Sequence, residues 1–184
     1  MAKVAVLAAD GCEECEALIQ VDLLRRAGIT VDIVSITGKK EIESARQIRF
    51  LADYLLEDVD RDSYDGVILP GGMPGTLHLK EDERVLDWVR SFAEQGKLTA
   101  AICAAPTVLG AAGILEGKKA TCYPQMEDGL TGAQFVEDKV AVDGAIITSR
   151  GLGTAIDFGL ALIAFFFDDE KAQQIGSSVV HVKN

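Results

Sequence analysis

Short, continuous apolar runs alternate with helical patterns along this chain, and that alternation constrains its fold more than any other feature. Residues 3–9 form the first apolar run, and residues 13–27 then carry apolar side chains at helical spacing before Gly28, where a helix C-cap belongs. Apolar strands without polar alternation are typical of parallel sheets that are covered on both faces. The alternation therefore predicts an α/β fold with a doubly wound, mostly parallel sheet and helices on both faces.

The same alternation predicts the remaining elements. Further strands are expected at residues 29–36, 64–70, 98–102, 140–143 and 145–149, with a short one at 179–182. A helix of about 20 residues is expected between the strands at 64–70 and 98–102, and two helices near the end of the chain. Residues 41–56 are predicted to form a small hairpin.

Composition limits the classes of partner. Hydrophobic residues make up 48% of the chain and no low-complexity tract interrupts it, so we expect a single domain over residues 1–184. The formal charge of -11 repels phosphate backbones and acidic lipid. The most apolar stretch, residues 155–167, is shorter than the roughly 20 residues that span a bilayer. We therefore expect no nucleic-acid or membrane partner and, because no export signal is seen, a cytoplasmic protein.

Cys103 is placed where chemistry is expected in such a fold. Ligands of doubly wound sheets bind beyond the carboxyl ends of the strands, and Cys103 directly follows the strand at 98–102. Its small neighbours and Pro106 predict a tight, strained turn between strand and helix. The positive end of that helix predicts a lowered pKa for the thiol. A buried structural cysteine is the alternative interpretation.

Gly71 and Gly72 follow the strand at 64–70 in the same way. Consecutive glycines allow backbone N–H groups to approach a ligand, so an oxyanion hole is one interpretation and a simple tight turn is the other. The loop matches neither the G-x-G-x-x-G nor the P-loop pattern. No closed four-ligand spacing of thiols, histidines and acids is present either. We therefore expect neither a cofactor nor a metal.

Cys12 and Cys15 form a C-x-x-C motif at the start of the first helix, which is the context of a thioredoxin-like dithiol. The two glutamates between them should raise rather than lower the thiol pKa values. Cytosolic cysteines are also more often free than paired. A redox pair and two independent thiols both remain open.

Five segments together resemble the ThiJ/PfpI superfamily and, within it, the parkinsonism-associated deglycase branch with its bacterial relatives. They are Gly11-Cys-Glu-Glu-Cys-Glu16, Asp22-Leu-Leu-Arg-Arg-Ala-Gly28, Tyr64-Asp-Gly-Val-Ile-Leu-Pro-Gly-Gly72, Ala101-Ile-Cys-Ala-Ala-Pro106 and Thr148-Ser-Arg-Gly-Leu-Gly-Thr154. The resemblance covers essentially the whole chain. It implies a flavodoxin-like fold and a homodimer.

The resemblance also implies a site around an oxidisable nucleophile, Cys103. Glu16 matches the family's acid beside that thiol, and the N–H groups of Gly72 and Ala104 match its anion pocket, with Gly71 next to them. Two adjacent anions raise each other's pKa, so a thiolate at Cys103 requires that Glu16 keeps its proton. If the resemblance is set aside, Glu16 is one of several acidic residues in a first helical turn, where the helix dipole favours negative charge.

The remaining matches concern Tyr123 and three arginines. Arg46 matches an arginine that approaches the pocket across the dimer interface, while Arg26 and Arg150 match neighbouring basic positions. Tyr123 stands where the animal members have a histidine, and a tyrosine is a poor general base near neutral pH. Ala104 stands where protease-like members have a histidine, so a Cys-His peptidase is not expected.

Three functions follow from these residues. The first is a cofactor-independent glyoxalase or deglycase in which Cys103 attacks methylglyoxal or glycated amines and thiols. The second is an oxidative-stress sensor or chaperone in which Cys103 forms a sulfinate without turnover. The third is a thiol–disulfide oxidoreductase that uses Cys12 and Cys15.

Overall fold

The computed structural model describes residues 1–181 and contains a sheet flanked by helices. In chain order the elements are β1 (Lys3–Ala8), α1 (Glu14–Ala27), β2 (Thr30–Ser35), β3 (Glu41–Glu43), β4 (Arg49–Leu51), β5 (Tyr54–Leu55), β6 (Gly66–Leu69), α2 (Gly75–Glu81), α3 (Glu83–Glu94), β7 (Leu98–Ile102), α4 (Pro106–Ala111), β8 (Lys119–Ala120), β9 (Gln134–Phe135), β10 (Val140–Asp143), β11 (Ile146–Ser149), α5 (Ala155–Phe166) and α6 (Asp169–Ser178).

The main sheet has seven strands in the order β10-β11-β7-β6-β1-β2-β5. All neighbouring pairs are parallel except β10 and β11. From β1 the sheet is extended on one side by β2 and β5 and on the other by β6, β7, β11 and β10. The strand order therefore reverses between β1 and β6. This confirms the predicted flavodoxin-like, doubly wound α/β fold, in which the crevice at the reversal is the usual ligand site.

Each face of the sheet has its own core. Val4 and Val6 of β1 pack with α1, α5 and α6, whereas Ala5 and Leu7 pack with α2, α3 and α4. Trp88 and Phe92 of α3 stack in the second core with ring centroids 5.6 Å apart. Because successive side chains of a strand enter opposite cores, the central strands are apolar throughout.

Helix α1 ends where the sequence predicts and begins one residue later, at Glu14. The Glu13 carboxylate caps its start by accepting a hydrogen bond from the N–H of Glu16 at 2.6 Å, and Gly28 ends it with a left-handed φ of 91°. This start places the Glu16 side chain on the buried face of α1, towards the carboxyl ends of the strands, where it is 1% exposed.

Three predicted elements differ from the structure. The long helix divides into α2 and α3, because Asp82 is extended and caps α3 by accepting from the N–H of Arg84. The hairpin contains only β3 and β4, and β5 joins the main sheet beside β2. The predicted strand at 179–182 is wrong where the structure describes it, because Val179 and Val180 form a turn that follows α6. Residue 182 lies outside the described residues.

Helix α5 is the most apolar helix, and it has 12 residues. Within residues 1–181, no helix combines the length and apolar character needed to cross a bilayer.

Candidate active site

Four loops meet at the carboxyl edge of the parallel strands. The loop after β1 leads to Glu16, the loop after β6 holds Gly71 and Gly72, Cys103 follows β7, and Leu152 follows β11. Because these strands are neighbours in the sheet, four segments that are distant in sequence lie side by side.

Cys103 has a left-handed backbone with φ of 64°, which is uncommon for a residue other than glycine. Two backbone hydrogen bonds hold this conformation. Its N–H donates to the carbonyl of Ser149 at 2.9 Å, and its carbonyl accepts from the N–H of Tyr123 at 2.7 Å. The predicted strained turn is therefore confirmed, and strain held in this way is typical of functional sites.

Gly71 fills a position that has no room for a side chain. A Cβ atom there would lie 2.6 Å from Cys103 Cβ and 2.7 Å from Glu16 Oε2. The N–H of Gly71 donates to Glu16 Oε2 at 3.0 Å. Gly72 has φ of 90°, and its N–H and that of Ala104 both donate to the Cys103 sulfur. The glycines thus bring the thiol, the acid and two donors together.

Glu16 is a buried acid whose carboxylate accepts from the N–H group of Gly71 at 3.0 Å and lies beside the N–H of Leu152 and the Cys103 thiol. Burial raises its pKa to about 7, and the nearby charge of Glu13 adds to that shift, while the Cys103 thiol and the two N–H groups oppose it. Glu16 therefore exchanges its proton near neutral pH.

The pKa of Cys103 is raised to about 12, first by burial and then by the charge of Glu16, although the Gly72 and Ala104 N–H groups oppose the shift. The predicted lowering of this pKa is wrong. Helix α4 has only six residues and starts at Pro106, too weak a dipole to outweigh a buried carboxylate. Between about pH 7 and 12, Cys103 and Glu16 together hold one proton.

A cavity of about 440 Å³ opens above the thiol. Six of the residues in its wall were candidates from sequence, namely Glu16, Arg46, Gly72, Cys103, Ala104 and Tyr123. Five others were missed, namely Glu13, Ala45, Met73, Met126 and Leu152. The end of β11 lies at the same edge as Cys103, so Leu152 could have been found from strand order; the two methionines carry no such signal.

The three arginines lie in different surroundings. Arg46 is exposed and lines the cavity of its own chain. Arg26 is on the surface of α1, where it binds Asp22 at 2.7 Å, and it does not line the cavity. Arg150 is partly buried, with Nη1 unpartnered, and its charge acts on the buried Cys122 thiol. Of the three arginines, only Arg46 thus lines the cavity above the thiol.

Cys12 and Cys15 are both free thiols. Burial and nearby glutamate charges raise the pKa of Cys12 to about 12, and the same causes raise that of Cys15. Because burial and a glutamate charge raise the pKa of Cys103 as well, these shifts do not distinguish the pair from Cys103; the difference is that neither Cys12 nor Cys15 lines the 440 Å³ cavity. Cys15, Glu13 and Glu14 each place one ligand atom within 4.8 Å of the others, but Glu13 already caps α1 and the group supplies three ligands rather than four.

A wider depression of about 710 Å³ lies at Ile36, His78 and Arg84, and no cysteine lines it. His78 Nδ1 lies 3.0 Å from the carbonyl oxygen of Asp10, and His181 Nε2 lies 3.1 Å from Asp157 Oδ1. Both histidines thus have partners away from Cys103, so we place the candidate site at the smaller cavity.

Comparison with known proteins gives relatives along almost the whole chain. The sequence matches the DJ-1/PfpI family over residues 2–165. It is 41% identical to the protein dj-1beta of Drosophila melanogaster, over 97% of each chain. It is 32% identical to a Caenorhabditis elegans protein named glutathione-independent glyoxalase DJR-1.2, over 92% of this chain and 91% of that one.

Two relatives are much longer. The DJ-1 homologs B and A of Arabidopsis thaliana are 38% and 39% identical over 94% of this chain, which spans 40% and 44% of their lengths. Among solved structures, oxidized Toxoplasma gondii DJ-1 is similar with a TM-score of 0.95 and 35% identity over all of both chains. The sequence match, these identities and the shared fold show that the chain belongs to the DJ-1/PfpI family.

Proposed function

We propose that the chain is a cofactor-independent glyoxalase that converts methylglyoxal to lactate, with Cys103 as nucleophile and Glu16 as acid and base. The observation that carries the proposal is the pair of Cys103 and Glu16, which faces a 440 Å³ cavity while two N–H groups donate to the sulfur. The name of the Caenorhabditis elegans relative supports the same activity.

The first step is addition of the thiolate to the aldehyde carbon. The active form of the pair has its single proton on Glu16 and the negative charge on sulfur, which the Gly72 and Ala104 N–H groups stabilise. It is the minor form, because the higher pKa of Cys103 places the proton mainly on sulfur. A carbon–sulfur bond forms, the carbonyl electron pair moves to oxygen, and that oxygen takes the proton of Glu16. The product is a hemithioacetal beside a Glu16 carboxylate.

The second step moves a proton between neighbouring carbons. Glu16 removes the proton from the carbon bonded to sulfur, giving an enediolate, and returns it to the adjacent carbon. The hydroxyl proton moves from the oxygen of the first carbon to the oxygen of the second, so that a thioester with a neighbouring hydroxyl group remains. The former aldehyde carbon is oxidised and the ketone carbon is reduced within one molecule, so no external oxidant is needed. Water then hydrolyses the resulting thioester, and lactate and the thiol are released.

Tyr123 does not have to replace the histidine of the animal members in this scheme. A general acid–base residue works best when its pKa is close to the working pH, and Glu16 has a pKa of about 7. Glu16 therefore supplies the proton transfers that a tyrosine cannot.

The test is lactate formation from methylglyoxal by the wild type and by Cys103→Ser, with Cys122→Ser as a matched thiol control. We expect turnover by the wild type and the control and none by Cys103→Ser. Wild-type turnover no faster than buffer would refute the proposal. Methylglyoxal adducts on amines and thiols, the deglycase substrates, are tested by using them in the same assay.

A second candidate is redox sensing at the same thiol. The two N–H groups and a protonated Glu16 form a site that can hold a sulfinate, and a related Toxoplasma gondii structure is described as oxidized. Mild peroxide should then add two oxygen atoms to Cys103, located by peptide mapping. Equal oxidation of all four cysteines would exclude this function.

We also propose a homodimer. Ile48 and Leu51, beside and within the β3–β4 hairpin, are 50% and 70% exposed, which suits a self-association surface near Arg46. Light scattering should give twice the 19.6 kDa chain mass, and a monomer would refute the proposal. The cytoplasmic location and the single domain stay predictions.

A further inference from the structure

The cavity above Cys103 is larger than methylglyoxal, the substrate of the proposed function, requires. Cavities of about 300–1,000 Å³ commonly hold drug-sized ligands. Methylglyoxal is a three-carbon compound, and it leaves most of a 440 Å³ cavity unfilled. The unfilled part indicates that a further group of the substrate binds next to the reacting carbonyl.

Apolar side chains form much of the cavity wall. Met73, Tyr123 and Leu152 line the cavity, yet their side chains are 49%, 52% and 50% exposed. Exposed apolar side chains are ordinary when they are scattered, but several around one nucleophile mark a binding surface. Met126, which is partly buried, also lines the cavity, and methionines adapt to apolar groups of varied shape.

The groove continues away from the thiol. A second cavity of about 260 Å³ shares Met73 and Met126 with the first, so the two methionines form a common wall. Charge also restricts the ligand, because Glu13, Glu16 and Arg46 line the first cavity and the whole chain carries -11. These charges disfavour an acidic substrate.

We infer that the site prefers uncharged 2-oxoaldehydes whose ketone carbon carries an aryl or branched alkyl group. This rests on the proposed glyoxalase function and adds its substrate class. The aldehyde binds at Cys103, and the apolar group lies against Leu152, Met73 and Met126. The chemistry balances as for methylglyoxal, with water consumed and a 2-hydroxy acid released.

The experiment measures kcat/KM for phenylglyoxal and for methylglyoxal. Each kcat/KM value is divided by the rate constant with which the same aldehyde adds to a small thiol in solution, so that differences in intrinsic reactivity cancel. The wild type should favour phenylglyoxal by about tenfold or more, the discrimination that one or two buried methylene groups give. Leu152→Asn keeps the backbone N–H and the approximate volume but removes the apolar contact. It should reduce the preference about tenfold.

Met126→Gln is the second groove variant and should reduce the preference in the same direction. Val142→Thr, at an exposed position of β10 outside the groove, is the matched control and should leave the preference unchanged. If Cys103-dependent turnover occurs without a preference for phenylglyoxal, or if neither groove variant alters that preference, the inference is wrong while the proposed function stands. If neither substrate is turned over, the proposed function itself fails.

Discussion

The turn at Cys103 and the segment from Cys12 to Cys15 both place thiols beside glutamates near the start of a helix, yet only one has the features of a reaction centre. At Cys103, two backbone N–H groups converge on the sulfur and a cavity opens above it. Cys12 is fully buried, and neither Cys12 nor Cys15 lines that cavity. Two converging N–H donors and an open cavity, rather than a cysteine motif, distinguish the thiol that we propose as the nucleophile.

The largest expected effect in this comparison comes from Glu16→Gln. Loss of the acid–base group should lower kcat/KM for methylglyoxal about a thousandfold. Removal of the carboxylate charge should also lower the pKa of Cys103, so iodoacetamide should alkylate it faster at pH 8. Glu14→Gln, a neighbouring buried acid, is the control and should change neither rate. If Glu16→Gln slowed both the turnover of methylglyoxal and the alkylation of Cys103, separate roles for Glu16 and Cys103 would be contradicted.

The raised pKa of Glu16 also predicts a pH effect on stability. The folded chain binds this proton more tightly than the unfolded chain, so the free energy of unfolding should fall as pH rises from 4.5 to about 7. The expected loss is about 3 kcal/mol, and it should be absent in Glu16→Gln. Denaturant unfolding at several pH values measures this loss. If the free energy of unfolding changed with pH equally in the wild type and in Glu16→Gln, the raised pKa of Glu16 would be contradicted.

Gly71→Ala tests the packing that joins the two groups. Its Cβ would displace Cys103 or Glu16, and a shift of about 1 Å in a catalytic group can lower the rate about a hundredfold. Gly153→Ala is the matched control, because a Cβ there meets no atom within 4 Å. If Gly71→Ala retained wild-type kcat/KM, the close contact would have no part in catalysis.

The smallest expected effect is that of Cys15→Ser. Cys15 is partly exposed and free, and its side chain does not line the cavity. Turnover of methylglyoxal should stay within about twofold of wild type, as for surface substitutions outside a site. A large loss, or a disulfide between Cys12 and Cys15 in the active protein, would restore the oxidoreductase hypothesis.

Much of this architecture could be predicted from the sequence, because buried parallel strands and helix caps leave local patterns. The strand β7 and the C-cap at Gly28 are examples. The division between α2 and α3 could also have been predicted, since Asp82 is a good N-cap residue two positions before Arg84.

The pKa of Cys103 could not be predicted in the same way. Its value depends on burial and on the distance to a carboxylate that lies 87 positions earlier in the sequence. Met73 and Met126 were missed for the same reason, because they lie in two loops that are distant from Cys103 in sequence, whereas Leu152 could have been placed from the strand order. Long-range proximity, unlike secondary structure, has no local signal in one sequence.

The central claim is that Cys103 bonds covalently to the substrate during turnover. Acid quenching of the wild type during methylglyoxal turnover, followed by intact-mass measurement and peptide mapping, tests it directly. We predict a mass gain of one methylglyoxal, located on Cys103 and absent when turnover is complete. Lactate formation with no adduct, or with the adduct on another residue, would contradict the account.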